Sequence, residues 1–205
     1  MNIILSNTGK RYNREWIFRN FSYNFLQGNS YAITGANGSG KSTLLQIIAG
    51  AVMHSEGKID YINETSGKVS NNESSYTEIS FSAPYLDLIE EMTANEFLYF
   101  HSGFKPFTHT FSEILSSVGL AEAANKQIRY FSSGMKQRLK LAHAFFSNTS
   151  VLLLDEPTTN LDGEGINIYK KLLQENSAGR LVIISSNDKQ EYENCSEVIS
   201  MSSYK

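Results

Sequence analysis

The sequence predicts an α/β fold in which a mainly parallel sheet carries an antiparallel β region at its N-terminal end and a helical insertion in its middle. Three observations point there. Gly35-Ala36-Asn37-Gly38-Ser39-Gly40-Lys41-Ser42-Thr43 fits G-x-x-x-x-G-K-[ST]; a short apolar run, 30–34, precedes it, and Leu44, Ile47, Ile48 and Ala51 follow at helical spacing. Residues 151–154 and 181–184 are unbroken apolar runs, the pattern of parallel strands covered on both faces. Between them and the first run, helical periodicities replace strand-like ones.

In chain order, 3–5, 16–18, 21–25 and 31–34 are strand candidates separated by polar or glycine-bearing turns, with Tyr12 in the first connection. Gly50 closes the helix after the motif, and 57–61 reads as a further strand. Residues 63–78 are polar and read as a solvated excursion between strands. A strand at 79–81 ends at Pro84, which has no N–H for a ladder. Thr93-Ala94-Asn95-Glu96 spells a capping box opening a helix through Phe97, Phe100 and His101. Phe111, Ile114, Leu115 and Val118 mark a second helix, closed by Gly119. Residues 131–138 start a third, with Leu139, Ala142 and Phe146 on its buried stripe. After the run at 151–154 comes a turn at 158–162 and a helix whose Ile166, Tyr169, Leu172 and Leu173 face inward; 198–201 reads as a short edge strand. The expected organisation is one domain over 1–205: a β and core region to residue 85, a helical part over about 86–148, and the rest of the core from 149.

The motif's composition explains its chemistry. Glycines let the backbone fold tightly around an anion, and consecutive N–H groups with the positive end of the following helix then face it. Gly35, Ala36, Asn37, Gly38, Ser39 and Gly40 form the cradle, Lys41 reaches β- and γ-phosphates, Ser42 ligates Mg²⁺ and Thr43 donates to an α-phosphate. The run at 151–154 ends in Asp155-Glu156, at the carboxyl end of a strand where ligands of open α/β sheets bind. Asp155 is suited to hold Mg²⁺ and Glu156 to accept the proton of an attacking water. Ser132, Ser133, Gly134 and Met135 open a helix and make a second anion site or a plain cap. Tyr12 either stacks on a base or packs as any tyrosine does.

Composition narrows the class. With 205 residues, 40% hydrophobic, the chain is long enough for a sizeable core, and a net charge of −3 leaves no basic excess for a nucleic-acid backbone. The single cysteine, Cys195, makes no internal disulfide and suits a reducing compartment. The first residues lack the pattern of a signal peptide, and no window approaches ~18 uninterrupted apolar residues, so the chain is expected to be soluble and to meet a membrane only through a partner.

The order of these elements, phosphate loop, helical stretch, Ser132-Ser133-Gly134-Met135-Lys136-Gln137-Arg138, then Leu152-Leu153-Leu154-Asp155-Glu156-Pro157-Thr158 and a turn with Leu161-Asp162, resembles the ATP-binding cassette (ABC) ATPases over nearly the whole chain. It is similar to the small bacterial cassette subunits, the haem-exporter type among them. The resemblance implies ATP and Mg²⁺ as ligands, Tyr12 on the adenine, Ser132 to Met135 on the γ-phosphate of an opposite subunit, and Asp162 at that subunit interface. It implies a homodimer or paralogous heterodimer in the ATP state, integral-membrane transporter subunits as partners, no nucleic acid, and a cytoplasmic position on the inner face of the membrane. Three places depart from the family: where it usually has Leu-Ser-Gly-Gly-Gln this chain has Phe131-Ser132-Ser133-Gly134-Met135, a tolerable variant that keeps the serine and the second glycine but loses the glutamine. The family's strand-ending glutamine near Mg²⁺ falls by spacing on Pro84, and its switch histidine falls on Asn187, which donates a hydrogen bond but carries no charge. The changes at Pro84 and Asn187 keep open a regulatory nucleotide-binding module with little turnover beside the transporter ATPase; a soluble cassette ATPase acting on a macromolecular complex is a third reading.

Overall fold

Period-two alternation along the strands sorts their side chains between two hydrophobic cores. The computed structural model describes residues 1–63, the backbone of 69–70, and 76–204. Val151 and Leu153 of β7 (Val151–Asp155) and Leu181 and Ile183 of β8 (Leu181–Ser185) enter one core, while Leu152, Leu154, Val182 and Ile184 enter the other. Each side chain so buried is worth about 1.5–3 kcal/mol, and this is why the two runs are apolar without a break.

The first core lies under an antiparallel sheet ordered β2-β1-β4-β5: β1 (Asn2–Tyr12), β2 (Glu15–Phe25), β4 (Glu56–Ile62) and β5 (Val69–Ser70). Phe18, Phe21 and Phe25 of β2 share this core with Leu44, Leu45 and Ile48 of α1 (Lys41–Ile48). The two strand candidates at 16–18 and 21–25 are one continuous strand. The alternation breaks because the β1–β2 pairing is bulged, with Asn7 at φ 48° and Asn20 at φ 54°. The same pairing extends β1 to Tyr12, so that residue ends a strand instead of lying in a connection. Of the polar excursion 63–78, residues 64–68 and 71–75 lie outside the described residues; β5 pairs with β4, and 76–78 make one 3₁₀ turn.

The second sheet is parallel throughout, ordered β6-β7-β8-β3-β9, with β3 (Ser30–Thr34), β6 (Ile79–Ser82) and β9 (Glu197–Ser200). Ile33 and Asp155 both pair with Ser185, and Ser82 with Leu154, so the strands' carboxyl ends finish level along one edge. The second core joins this sheet to the helices: α2 (Ala94–Ser102), α3 (Phe111–Ser117), α4 (Ser133–Phe146) and α5 (Gly163–Asn176). Both halves of the Thr93–Glu96 capping box form, and a second box, Thr110–Glu113, opens α3. A short α6 (Lys189–Tyr192) follows β8.

Candidate functional site

The chain leaves β3 through three glycines with positive φ: Gly35 at 146°, Gly38 at 76° and Gly40 at 97°. Gly40 caps α1, and a Cβ there would stand 2.8 Å from Ile17 Cγ2, so conformation and space both demand glycine. The helix it opens has no side-chain cap and no acid in its first turn, which leaves its leading N–H groups and dipole unopposed. Lys41 is buried, and its Nζ donates across the loop to Gly35 O at 2.7 Å and Ala36 O at 3.4 Å. Ser39 N donates to Ala36 O at 3.0 Å, while the buried Ser39 hydroxyl has no hydrogen-bond partner among the described residues. The result is a concavity of about 270 Å³, lined by Ile17, residues 37–43 and Glu156.

Asp155 ends β7 beside this cleft. It is 1% exposed, and among the described residues no hydrogen bond of ordinary geometry reaches either carboxylate oxygen, although the Tyr85 hydroxyl bears on them. A buried carboxylate left so is costly unless something cationic joins it. No group of three or more His, Cys, Asp or Glu among the described residues could hold a metal by itself. The donor set, Asp155 with the Ser42 hydroxyl, therefore fits Mg²⁺ shared with substrate phosphates, the usual manner of binding that ion. Glu156 follows in a left-handed conformation, φ 41°, with its N–H on Ser185 O at 2.8 Å. That strained turn brings its exposed side chain to line the loop's cleft.

Asn187 sits just past β8. Its Oδ1 accepts from Gly35 N at 3.2 Å and its Nδ2 donates to Asn37 Oδ1 at 3.4 Å. The amide thus spans the entrance of the loop. From the neighbouring strand β6, the side chain that reaches Asp155 is Tyr85, not Pro84. Burial, then the Asp155 charge, raise the Tyr85 pKa, and Gln46 of α1 also bears on its hydroxyl. Pro84 contributes only its carbonyl, which accepts from Lys140 Nζ at 2.7 Å.

The remaining expected residues stand apart from this cleft. Ser132 caps α4, accepting from Met135 N at 3.2 Å; Ser132 and Ser133 are exposed, Gly134 and Met135 half-buried, and none lines the cleft. Asp162 is exposed and caps α5 through Gly165 N at 2.8 Å. Tyr12 is 46% exposed with the Lys10 ammonium 4.7 Å over its ring, and the cleft is lined on that side by Ile17 instead. Hydrogen bonds and chain continuity thus join the loop to Asn187 and Asp155 to Glu156, while Tyr12, Asp162 and residues 132–135 are not among the residues that line the cleft. Sequence reasoning missed Tyr85 and Ile17. For Tyr85 a signal existed: an aromatic residue directly after the turn that ends a parallel strand. A larger cavity of about 560 Å³ around Cys195, between α5 and α6, is lined by no residue of the glycine loop.

An ABC transporter family model matches residues 18–159. The linearmycin resistance ATP-binding protein LnrL of Bacillus subtilis is 32% identical over 193 residues, 91% of this chain and 61% of that one, so the chain spans about three-fifths of that relative. The cytochrome c biogenesis ATP-binding export protein CcmA of Aliivibrio fischeri is 30% identical over 173 residues, 83% of this chain and 84% of that one. Among solved structures, the dimeric post-hydrolysis state of the ATP-binding cassette MJ0796 bound to ADP and Pi superposes with a TM-score of 0.80 at 26% identity, covering 97% of this chain and 93% of that one. Among the described residues no helix is long and apolar enough to cross a membrane.

Proposed function

This chain belongs to the ABC transporter family of ATP-binding proteins, and from that premise we propose that it binds MgATP in the cleft between residues 37–43 and Glu156 and hydrolyses it to drive integral-membrane subunits. The observation that carries this reading is the meeting of an uncapped, glycine-turned helix N-terminus with two carboxylates of different exposure, Asp155 buried and Glu156 open to the cleft.

The loop N–H groups and Lys41 hold the β- and γ-phosphates, with Lys41 already pinned by the Gly35 and Ala36 carbonyls. Ser42 and Asp155 would hold Mg²⁺, which neutralises charge on the phosphate oxygens when bound. Glu156 accepts the proton of the attacking water, and Asn187 supplies a neutral hydrogen-bond donor at the loop's entrance. The exposed Ser132 and Ser133, with Gly134, Met135 and Asp162, serve the cleft of a second copy or a paralogue, which a chain with one loop and one such helix needs to close its site.

The exposed Leu86, Ile89, Tyr99, Phe100 and Phe104 support docking to membrane subunits from residues 84–107, and through them a position on the cytoplasmic face. Photo-crosslinkers at Tyr99 and Phe104 are expected to capture a membrane protein. Capture from 63–78 instead would move the docking site.

The nucleotide assignment is tested by ATP affinity of Lys41→Ala. Removing the cation leaves phosphate charge uncompensated, so binding is expected to be lost in a folded protein. Unchanged affinity would remove the assignment.

A further inference from the structure

The turn that carries Glu156 is held from two sides by buried side chains of two different helices. Glu191, on α6, is 3% exposed. One of its carboxylate oxygens accepts from Thr158 N at 2.8 Å and from the Thr158 hydroxyl. Its backbone carbonyl accepts from the buried Tyr169 hydroxyl of α5 at 2.6 Å, which fixes α6 against the core. From the other side Gln137, 2% exposed on α4, donates to Pro157 O at 2.8 Å. Near the start of the same helix a Cβ on Gly134 would approach Asn160 O to 3.1 Å, so α4 lies directly on the turn.

This is much buried polar chemistry for two residues of a connecting loop. A buried carboxylate met by neutral donors from Thr158 and Ser186 is an expensive way to satisfy one backbone N–H. Burial raises the Glu191 pKa, the main effect upon it, with the Ser186 and Thr158 bonds opposing. What the arrangement accomplishes is geometric. Glu156 stands at φ 41°, a conformation a non-glycine residue keeps only when its surroundings impose it. Its N–H is tied back to Ser185 O, and the two residues after it are tied forward by Gln137 and Glu191. Moreover, Glu191 lies four positions after Asn187, with Asp188 capping its helix through Gln190 N at 2.9 Å. The same side chain thereby joins the segment that carries Asn187 to the segment that carries Glu156.

We propose that Glu191 and Gln137 are positioning residues that hold the 156–158 turn in its strained form and keep Glu156 in register with Asn187 across the phosphate cleft. The proposal rests on Glu156 being the general base. Neither residue touches nucleotide; each acts through the turn, and Gln137 makes the turn sensitive to the position of α4, the helix that begins with the exposed Ser132 and Ser133.

The test measures steady-state ATP turnover and ATP affinity on the full chain carrying Glu191→Ala, Glu191→Gln, Thr158→Val, Gln137→Leu and the Glu191→Ala/Gln137→Leu pair. Displacing a catalytic group by about an ångström lowers rate on the order of 10²-fold. Glu191→Ala is therefore expected to lower kcat by about tenfold to 10²-fold with KM within about twofold. Glu191→Gln keeps an oxygen for both Thr158 donors and is expected to restore most of kcat; Thr158→Val, which removes only the hydroxyl, falls between. The double variant should lose less than the product of the single losses, because both act on one turn. A merely structural role predicts instead that Glu191→Ala lowers the folded fraction while the folded molecules keep wild-type kcat, and that result overturns the proposal; so does a Gln variant as impaired as Ala. Glu156→Gln separates the two levels. If it retains turnover, the base assignment fails; if it abolishes turnover while Glu191→Ala leaves kcat unchanged, the positioning role alone fails.

Discussion

Asn187 shows how much one side chain leaves to its neighbours. Its carboxamide oxygen, not its nitrogen, rests on the loop at Gly35 N, while Nδ2 points along the loop to Asn37. A neutral amide makes a weaker bond to an anion than a charged donor, yet it donates at every pH. Loss of one transition-state hydrogen bond is worth on the order of 10²-fold in rate. Asn187→Ala is thus expected to slow turnover by about that factor with little change in ATP affinity, while Asn187→His retains or raises it. Turnover unchanged in the alanine variant would place the donor elsewhere. At this scale the loop, Asp155 and Glu156 were legible in the sequence because a strict spacing and an apolar run announce them. Tyr85 was not. Spacing alone put the family's glutamine on Pro84, and only the pairing of β6 beside β7 shows which side chain after the strand turns toward Asp155.

Elements were legible wherever local chemistry and burial agree. Thr93 and Thr110 both cap helices with a glutamate three residues on, and the apolar runs became the central strands. Where a bulge interrupts the alternation, as in β2, periodicity alone divided one strand into two. Helix α4 holds a feature periodicity could not reveal. His143 packs among Phe97, Phe107 and His101, whose ring lies 4.4 Å away centroid to centroid. Burial chiefly, with His101 and Lys105 adding to it, lowers its pKa from the ordinary 6.5 to about 3. The unfolded chain protonates this imidazole below 6.5 and the folded protein does not until about 3, so stability is full above 6.5 and is lost as pH falls through that window. Each pH unit there costs about 1.4 kcal/mol from this group. Urea midpoints at pH 7 and pH 5 should fall in the wild type and fall less in His143→Phe. Equal falls would mean that His143 is not the group responsible.

For the whole molecule, the two cores divide the work. The aromatic-rich core under the antiparallel sheet seats α1 and the phosphate loop, and the helical core carries the surface formed by Ser132, Ser133 and the exposed aromatics of 84–107. Parallel strands ending along one edge bring loop, acids and Asn187 together within one chain, whereas residues 132–135 and Asp162 stay outside its cleft. As the resemblance implies, a single chain with one loop and one helix start at Ser132 closes its cleft, in the proposed reading, only with a second copy or a paralogue. The measurement that bears most directly on this is sedimentation of Glu156→Gln, which keeps size and hydrogen bonding but takes no proton, with and without MgATP. A monomer that becomes a dimer on adding MgATP, each copy retaining its ATP, is the expected result. A chain that binds MgATP to saturation and still sediments as a monomer at every protein concentration reached would contradict the account.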